Sequence, residues 1–148
     1  MPGVAEASPS PSRVGSASDA VRLRQLKKLD QAVERHEQAH RIAGGPYTGP
    51  ATFTYKTGPD GRPYAIAGEV RINASPVPDN LEATVAKMRV VIAAALAPVD
   101  PSPQDRSVAA RASQRLQEAS TALRRESDEA VDAYGEPPAR GAAIDETA

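Results

Sequence analysis

The chain has 148 residues, enough for one domain, and its 18 Lys and Arg nearly balance its 19 Asp and Glu. This balance argues against a protein that binds nucleic acid or a membrane surface. Cysteine is absent, which excludes disulfides, thiol nucleophiles and cysteine-ligated metal sites. The N-terminus has no signal-peptide pattern and the longest apolar run, residues 90–99, is too short to span a bilayer, so we expect a cytoplasmic protein, with leaderless export not excluded.

Both ends of the chain have a composition that opposes folding. Residues 1–17 consist largely of Ser, Pro, Gly and Ala, and the stretch from Gly135 onward is similar. Such segments bury too little surface to offset the entropy lost on ordering. We therefore predict a disordered tail at residues 1–17, a disordered or frayed tail at 128–148, and one domain at 18–127.

The first predicted element is a helix of unusual length. It should begin with Ser18 or Asp19 as the N-cap and end at Gly44 and Gly45, where glycine supplies a left-handed cap. One helical face carries residues at spacings of three and four, namely Leu26, Leu29, Val33, His36 and His40. Both histidines of the chain are therefore predicted to point toward the protein interior.

Two β-prone runs follow, at residues 51–56 and 64–73, joined by the turn-rich sequence TGPDGRP. They predict a β-hairpin. In the second strand the bulky Ile66, Val70 and Ile72 alternate with a face of mostly small residues, namely Ala65, Ala67, Glu69 and Arg71. This alternation places Glu69 on the face toward the histidines, unless a bulge at Gly68 changes the parity.

Two more helices complete the predicted domain. Asp79 followed by Glu82 resembles a capping box at the start of the second helix, which should end at Pro98. In the third helix Ser102 is the expected N-cap, with Asp105 in the first turn, and we expect fraying past Arg125. The fold class is therefore α+β: a long helix, a hairpin packed across it, and two further helices.

The sequence HEQAH, residues 36–40, matches the pattern H-E-x-x-H. Residues four apart lie above one another on a helix, so His36 and His40 can both ligate one Zn²⁺ at about 2.0 to 2.1 Å. Glu37 lies beside the metal and can act as the general base that takes a proton from the attacking water. The metzincin extension is excluded, because Ala43 and Pro46 stand where that class has Gly and His.

The opposing interpretation is a pair of buried histidines beside a surface glutamate. Three observations favour zinc: both histidines of the chain belong to the motif, both lie on the predicted interior face, and the helix is long enough to hold them rigidly. Burying two imidazoles without partners would cost about 1 to 3 kcal/mol each. We therefore expect Zn²⁺ as the cofactor.

A catalytic zinc needs a third protein ligand, which here must be Asp or Glu. Glu69 is the first candidate, because its small neighbours would let the strand approach the first helix closely. Asp79 and Glu82 remain open as alternatives, although capping already explains both. Asp60 is most simply a turn residue.

Six segments together resemble the SprA-related family, bacterial proteins described as zinc metallopeptidases: HEQAH, GGPY, TYKTGPDGRPYAIAGEVRI, SPVPDNLEAT, AALAP and PSPQDRSVAARAS. The resemblance covers roughly residues 21–119. It implies a zincin-like metallopeptidase domain at 18–127, with His36 and His40 as ligands and Glu37 as the catalytic base. From the G-E-V of the hairpin, it also implies Glu69 as a third ligand.

The sequence therefore supports two hypotheses from different functional classes. The leading hypothesis is a zinc-dependent peptidase whose partner is a peptide or protein substrate, with no role for nucleic acid or a membrane. The alternative is a non-enzymatic helical module that binds another protein, with a structural zinc or no metal. The sequence does not determine the oligomeric state.

Overall fold

The computed structural model describes residues 15–135, and the tails predicted at either end therefore lie largely outside the described residues. In chain order the elements are α1 (Ala17–Gly44), a short 3-10 helix (Gly45–Tyr47), β1 (Thr48–Thr57), β2 (Pro63–Ile72), α2 (Leu81–Ala95) and α3 (Pro103–Tyr134). The predicted α+β order of helix, hairpin, helix and helix is confirmed. None of the helices in residues 15–135 combines the length and the apolar character needed to cross a membrane.

Helix α1 begins slightly earlier than predicted. Ser16 is the N-cap, because its hydroxyl accepts a hydrogen bond from the backbone N–H of Asp19, which lies in the first turn. At the other end, Gly45 has φ 49°, and its N–H donates to the carbonyl of Arg41. A positive φ of this kind is favourable for glycine, so the predicted end of the helix is confirmed.

Strands β1 and β2 form a two-stranded antiparallel hairpin, whose turn has Gly61 at φ 78°. The predicted alternation does not continue unbroken along β2, and the prediction that Glu69 lies on the face toward the histidines is wrong. Thr54 pairs with Ala67 and Tyr55 with Ala65, so Ile66 has no partner and forms a bulge. The bulge lies at Ile66 and not at Gly68, and it reverses the parity, so that Ala65 is buried while Glu69 is exposed.

The bulge also attaches the hairpin to α1. The backbone N–H of Ala65 donates to Asp30 Oδ1 at 2.7 Å, which satisfies a donor at the irregular position of the ladder. Further along β2, Gly68 approaches α1 so closely that an added Cβ would lie 2.7 Å from Glu37 Cγ. These two contacts fix where the strand crosses the helix that carries the H-E-x-x-H motif.

The N-cap of α2 is Asn80, one residue later than predicted. Asp79 has φ 55° and therefore lies outside the helix, while the Asn80 side chain accepts from the N–H of Ala83. The capping box predicted for Asp79 and Glu82 is wrong. A left-handed residue directly before the helix moves the start of the helix by one position.

The start of α3 is confirmed and its end is corrected. Ser102 is the N-cap, Pro103 occupies the first turn, and Asp105 completes a capping box with Ser102. The helix continues to Tyr134 instead of fraying past Arg125, and Gly135 follows it at φ 66°. The extension, ESDEAVDAY at residues 126–134, contains Glu and Ala, which are good helix formers, and no Gly or Pro.

The hydrophobic core lies mainly between α2 and α3. Met88, Val91 and Ala112 are fully buried there, and burial of each large apolar side chain contributes about 1.5 to 3 kcal/mol. Alanines such as Ala94 and Ala109 let the helices approach closely. The short side chains in the last turn of α2 also leave room for a histidine from α1.

Candidate metal centre

Both histidines of the motif lie on the interior side of α1, as predicted. The His40 side chain is 2% exposed and that of His36 is 27% exposed. Their ring centroids are 4.9 Å apart and the rings are nearly perpendicular. The spacing of four residues thus brings the two imidazoles together on one helical face.

The first turn of α3 supplies a carboxylate to the same place. Asp105 Oδ2 lies 3.2 Å from His36 Nε2 and 3.3 Å from His40 Nε2. The three residues each offer one ligand atom, and these atoms lie within 4.8 Å of one another. His36, His40 and Asp105 form a group, called here the donor group, that can hold a metal ion.

The tautomer of His40 leaves its Nε2 atom free to bind a cation. His40 Nδ1 lies 2.8 Å from the carbonyl oxygen of Ala94, which only accepts, so Nδ1 carries the proton. The neutral ring then presents a lone pair at Nε2, facing Asp105 Oδ2. Two lone pairs at this distance repel one another unless a metal ion or a proton lies between them, so the chemistry of the donor group suits a cation.

Asp105 is held in its ionised form by the helix that carries it. Burial by itself would raise the pKa of Asp105. The hydrogen bonds from Ser102 and the nearby His40 and His36 lower the pKa by more than burial raises it, so the pKa lies below its ordinary value. The backbone N–H of Ser102 donates to Asp105 Oδ2 at 2.7 Å. An ionised carboxylate is the form that ligates metal.

Glu37 lies beside the donor group and is only 4% exposed. Its side chain packs against Gly68 of β2, at a position where a Cβ would lie 2.9 Å from Glu37 Oε1. Burial raises the pKa of Glu37 above its ordinary value. The two imidazoles lower it, while the carboxylates of Asp105 and Glu69 raise it. The motif glutamate is therefore a buried carboxyl group with enhanced basicity.

The donor group opens into a cleft of about 340 Å³ between β2 and α3. His36 and Glu37 line it from α1, and β2 contributes five consecutive residues, 68–72. The opposite wall consists of the N-cap Ser102 and, from α3, Gln104, Asp105, Val108 and Arg111. A ligand in this cleft would reach His36, Glu37 and Asp105 together.

The carboxylates predicted as third ligands lie elsewhere. Glu69 is exposed on the wall of the same cleft, where Gln104 Nε2 contacts its Oε1 at 3.5 Å, and it is outside the donor group. Asp79 and Glu82 line a different cavity. Asp60 is a turn residue, as predicted, and accepts from Arg62 N and from the Tyr64 hydroxyl. The structure thus brings His36 and His40 together with Asp105.

The sequence did not indicate Asp105 as a ligand, because capping of α3 already explains an aspartate at this position. In PSPQDR an aspartate three residues after Ser102 is fully explained as a capping-box residue, which it is. The same Oδ2 atom also faces the histidines, a contact across 69 residues of sequence. No local pattern in the sequence signals that second role.

The chain belongs to the SprA-related family, whose sequence model matches residues 10–137. The match covers all six elements of the fold. Comparison with curated proteins and with solved structures gives no match.

Proposed function

We propose that this chain is a zinc-dependent peptidase in which His36, His40 and Asp105 hold the metal and Glu37 is the general base. The observation that carries the proposal is the donor group itself, next to a buried glutamate and open to a cleft. Asp105 takes the place that the sequence analysis gave to Glu69. The role of Glu69 as a ligand stays a prediction, which the zinc dependence of stability in Glu69→Gln tests.

The two distances from Asp105 to the histidines support zinc. Two ligands that each lie about 2.0 to 2.1 Å from a tetrahedral zinc are about 3.3 to 3.4 Å apart. Asp105 Oδ2 lies 3.2 Å and 3.3 Å from the two imidazole nitrogens. Two imidazoles and one carboxylate are also a ligand set that zinc accepts in hydrolytic enzymes.

The number of ligands favours catalysis over a structural role. Structural zinc sites are closed by four protein ligands, whereas catalytic sites have three and leave one position open. Within residues 15–135 the donor group contains three residues. A structural zinc would also have no use for a buried carboxyl group such as Glu37 beside it.

When bound, zinc would supply a Lewis acid that polarises the scissile carbonyl and lowers the pKa of water toward about 7. The carboxylate of Glu37 would accept a proton from the attacking water at one oxygen and deliver it to the leaving amine. Its raised pKa suits this role, because a base works best when its pKa approaches the working pH. Ala94 would hold the His40 ring in the tautomer that leaves Nε2 free.

The first test is metal content. Purified protein should contain about one zinc per chain by mass spectrometry of the metal, and His36→Ala and His40→Ala should contain almost none. Equal zinc in the wild type and in both variants would contradict the proposal. Circular dichroism checks that each variant is folded.

The second test separates catalysis from metal binding. Glu37→Gln should retain zinc and fold but lose hydrolysis of an unbiased peptide library by about 10²- to 10⁴-fold, because an amide cannot accept the proton. The matched control is Glu34→Gln, one turn earlier on the exposed side of α1. If Glu37→Gln cleaves as well as Glu34→Gln does, Glu37 is not the base.

A further inference from the structure

The cleft beside the donor group has two arginines at its far end. Arg71 of β2 and Arg111 of α3 both line it, and both are exposed. Within residues 15–135 neither forms an ion pair with a carboxylate. The nearest acidic residue along β2, Glu69, contacts Gln104 instead. The cleft therefore presents two unpaired positive charges.

Each arginine lies a similar length along its own element from a residue at or beside the donor group. Along β2, Arg71 is three residues beyond Gly68, which packs on Glu37; this corresponds to about 10 Å. Along α3, Arg111 is six residues beyond Asp105, or about 9 Å. Gln104 Nε2 contacts Glu69 Oε1, and further along both segments the Arg115 guanidinium donates to the carbonyl of Ala74. The two walls therefore run in the same direction, and the arginines lie toward the same end of the cleft.

The shape of the cleft suits an extended chain. Five consecutive residues of β2 line it, so it runs along the strand. Within the described residues the sheet has two strands, and only one edge of β2 pairs with β1. An extended peptide advances about 3.3 Å per residue, so a bound peptide would cover the distance from the donor group to the arginines in about three residues.

We propose that Arg71 and Arg111 form a subsite for an acidic side chain of an extended peptide, about three residues from the bond that is cleaved. The position of that bond rests on the proposed peptidase function. Two guanidinium groups in one cleft repel each other, and a carboxylate bound between them removes that repulsion and accepts charge-assisted hydrogen bonds. Substrates with Asp or Glu at this position are therefore favoured over neutral ones.

The test uses short peptides with amidated C-termini that carry one Glu, Gln or Lys at each position in turn. Binding is measured by fluorescence anisotropy with zinc-loaded Glu37→Gln protein, and cleavage by the wild type is followed by mass spectrometry. We expect the best Glu peptide to bind about tenfold more tightly than its Gln counterpart, with a preference that weakens as salt is raised. In cleaved peptides, the Glu should lie about three residues from the cut.

Substitutions in the same background identify the arginines. Arg71→Gln and Arg111→Gln should each reduce the preference for Glu, and the double variant should abolish it. Replacing both arginines with Glu should reverse it, so that the Lys peptide binds best. The matched control is Arg89→Gln, an exposed arginine of α2 outside the cleft, which should keep the wild-type preference. Zinc content and circular dichroism establish that each variant is folded.

The outcomes separate this inference from the proposed function. Cleavage of peptides with no preference for Glu, or the same preference in the wild type and the double variant, would overturn the arginine subsite and leave the peptidase standing. Arginine-dependent binding of Glu peptides without any cleavage would support the subsite and contradict the peptidase. A matched peptide with a free C-terminus and no Glu is the last arm of the test, and if it binds as tightly as the best Glu peptide, the assignment to a side chain is overturned.

Discussion

Among the described residues, two of the regions that bury polar side chains satisfy them differently. At Lys87 the ammonium group donates to Asn73 Oδ1 at 3.2 Å and lies 5.3 Å from the centre of the Tyr47 ring, so protein groups alone accommodate the buried charge. In the donor group, Asp105 Oδ2 faces one nitrogen of each imidazole. The proton of the His40 ring lies on Nδ1, which donates to the carbonyl oxygen of Ala94, so it does not face Asp105.

The difference shows what kind of buried polar group indicates a ligand. Other groups of the protein satisfy the ammonium of Lys87, as is usual for a buried polar side chain. The donor group brings two acceptor atoms together, Nε2 of His40 and Oδ2 of Asp105, and a cation bound between them would satisfy both. Stability should therefore depend on metal at the donor group and be independent of it at Lys87.

The largest expected effect is from Asp105→Asn. At zinc concentrations about 100 times the dissociation constant, binding should stabilise the wild type by about 2.7 kcal/mol, and this gain should disappear in the variant. Thermal unfolding with and without zinc measures it. Asn preserves the size of the side chain and can still accept from Ser102, so without metal the two proteins should differ by less than the gain from zinc.

Glu69→Gln is the matched control on the opposite wall of the cleft, since Glu69 is exposed and outside the donor group. It should retain the full gain from zinc. If Glu69→Gln loses the gain and Asp105→Asn keeps it, Glu69 is the third ligand after all.

Gly68→Ala should disturb the catalytic base without removing the metal. The added Cβ would lie 2.7 Å from Glu37 Cγ, so the side chain or the strand must move, at about 1 to 3 kcal/mol of unfolding free energy. Peptide hydrolysis should fall while zinc content stays the same. Gly49→Ala in β1 is the control, because its nearest contact is 3.9 Å away; equal losses in both variants would show that the hairpin alone is responsible.

Lys87→Met tests the other region. Met has a similar length, and the variant loses one hydrogen bond and one cation–π contact, so the unfolding free energy should fall by about 1 to 2 kcal/mol. The gain in stability from zinc should equal that of the wild type. A smaller gain would mean that Lys87 and the donor group are coupled and that Lys87 is not independent of the metal.

The smallest effect concerns pH in the metal-free protein. The pKa of Asp105 is lowered in the folded chain, so its ionised form stabilises the fold above the ordinary value of 3.8, and this contribution is lost as the pH falls through the lowered pKa. The difference in unfolding free energy between the wild type and Asp105→Asn, measured in chelator, should shrink from pH 7 toward pH 3. A difference that does not change with pH would contradict the ionised state of Asp105.

The elements of the fold could be predicted from local patterns because each has a local cause. Turn residues define the hairpin, and the Ser102 cap with Pro103 defines the start of α3. Errors arose where one residue altered the local geometry. Asp79 at positive φ shifted the start of α2, and the unpaired Ile66 reversed the faces of β2.

The sequence by itself determined that His36, Glu37 and His40 share one region of α1, because a spacing of four residues on a helix places side chains together whatever surrounds them. Only the tertiary structure decided which carboxylate meets them. Asp105 reaches them because α3 packs on α2 with its N-terminal turn beside the histidines of α1, while the bulge at Ile66 turns Glu69 outward. Contacts between residues far apart in sequence depend on how whole elements pack, and no local pattern encodes that packing.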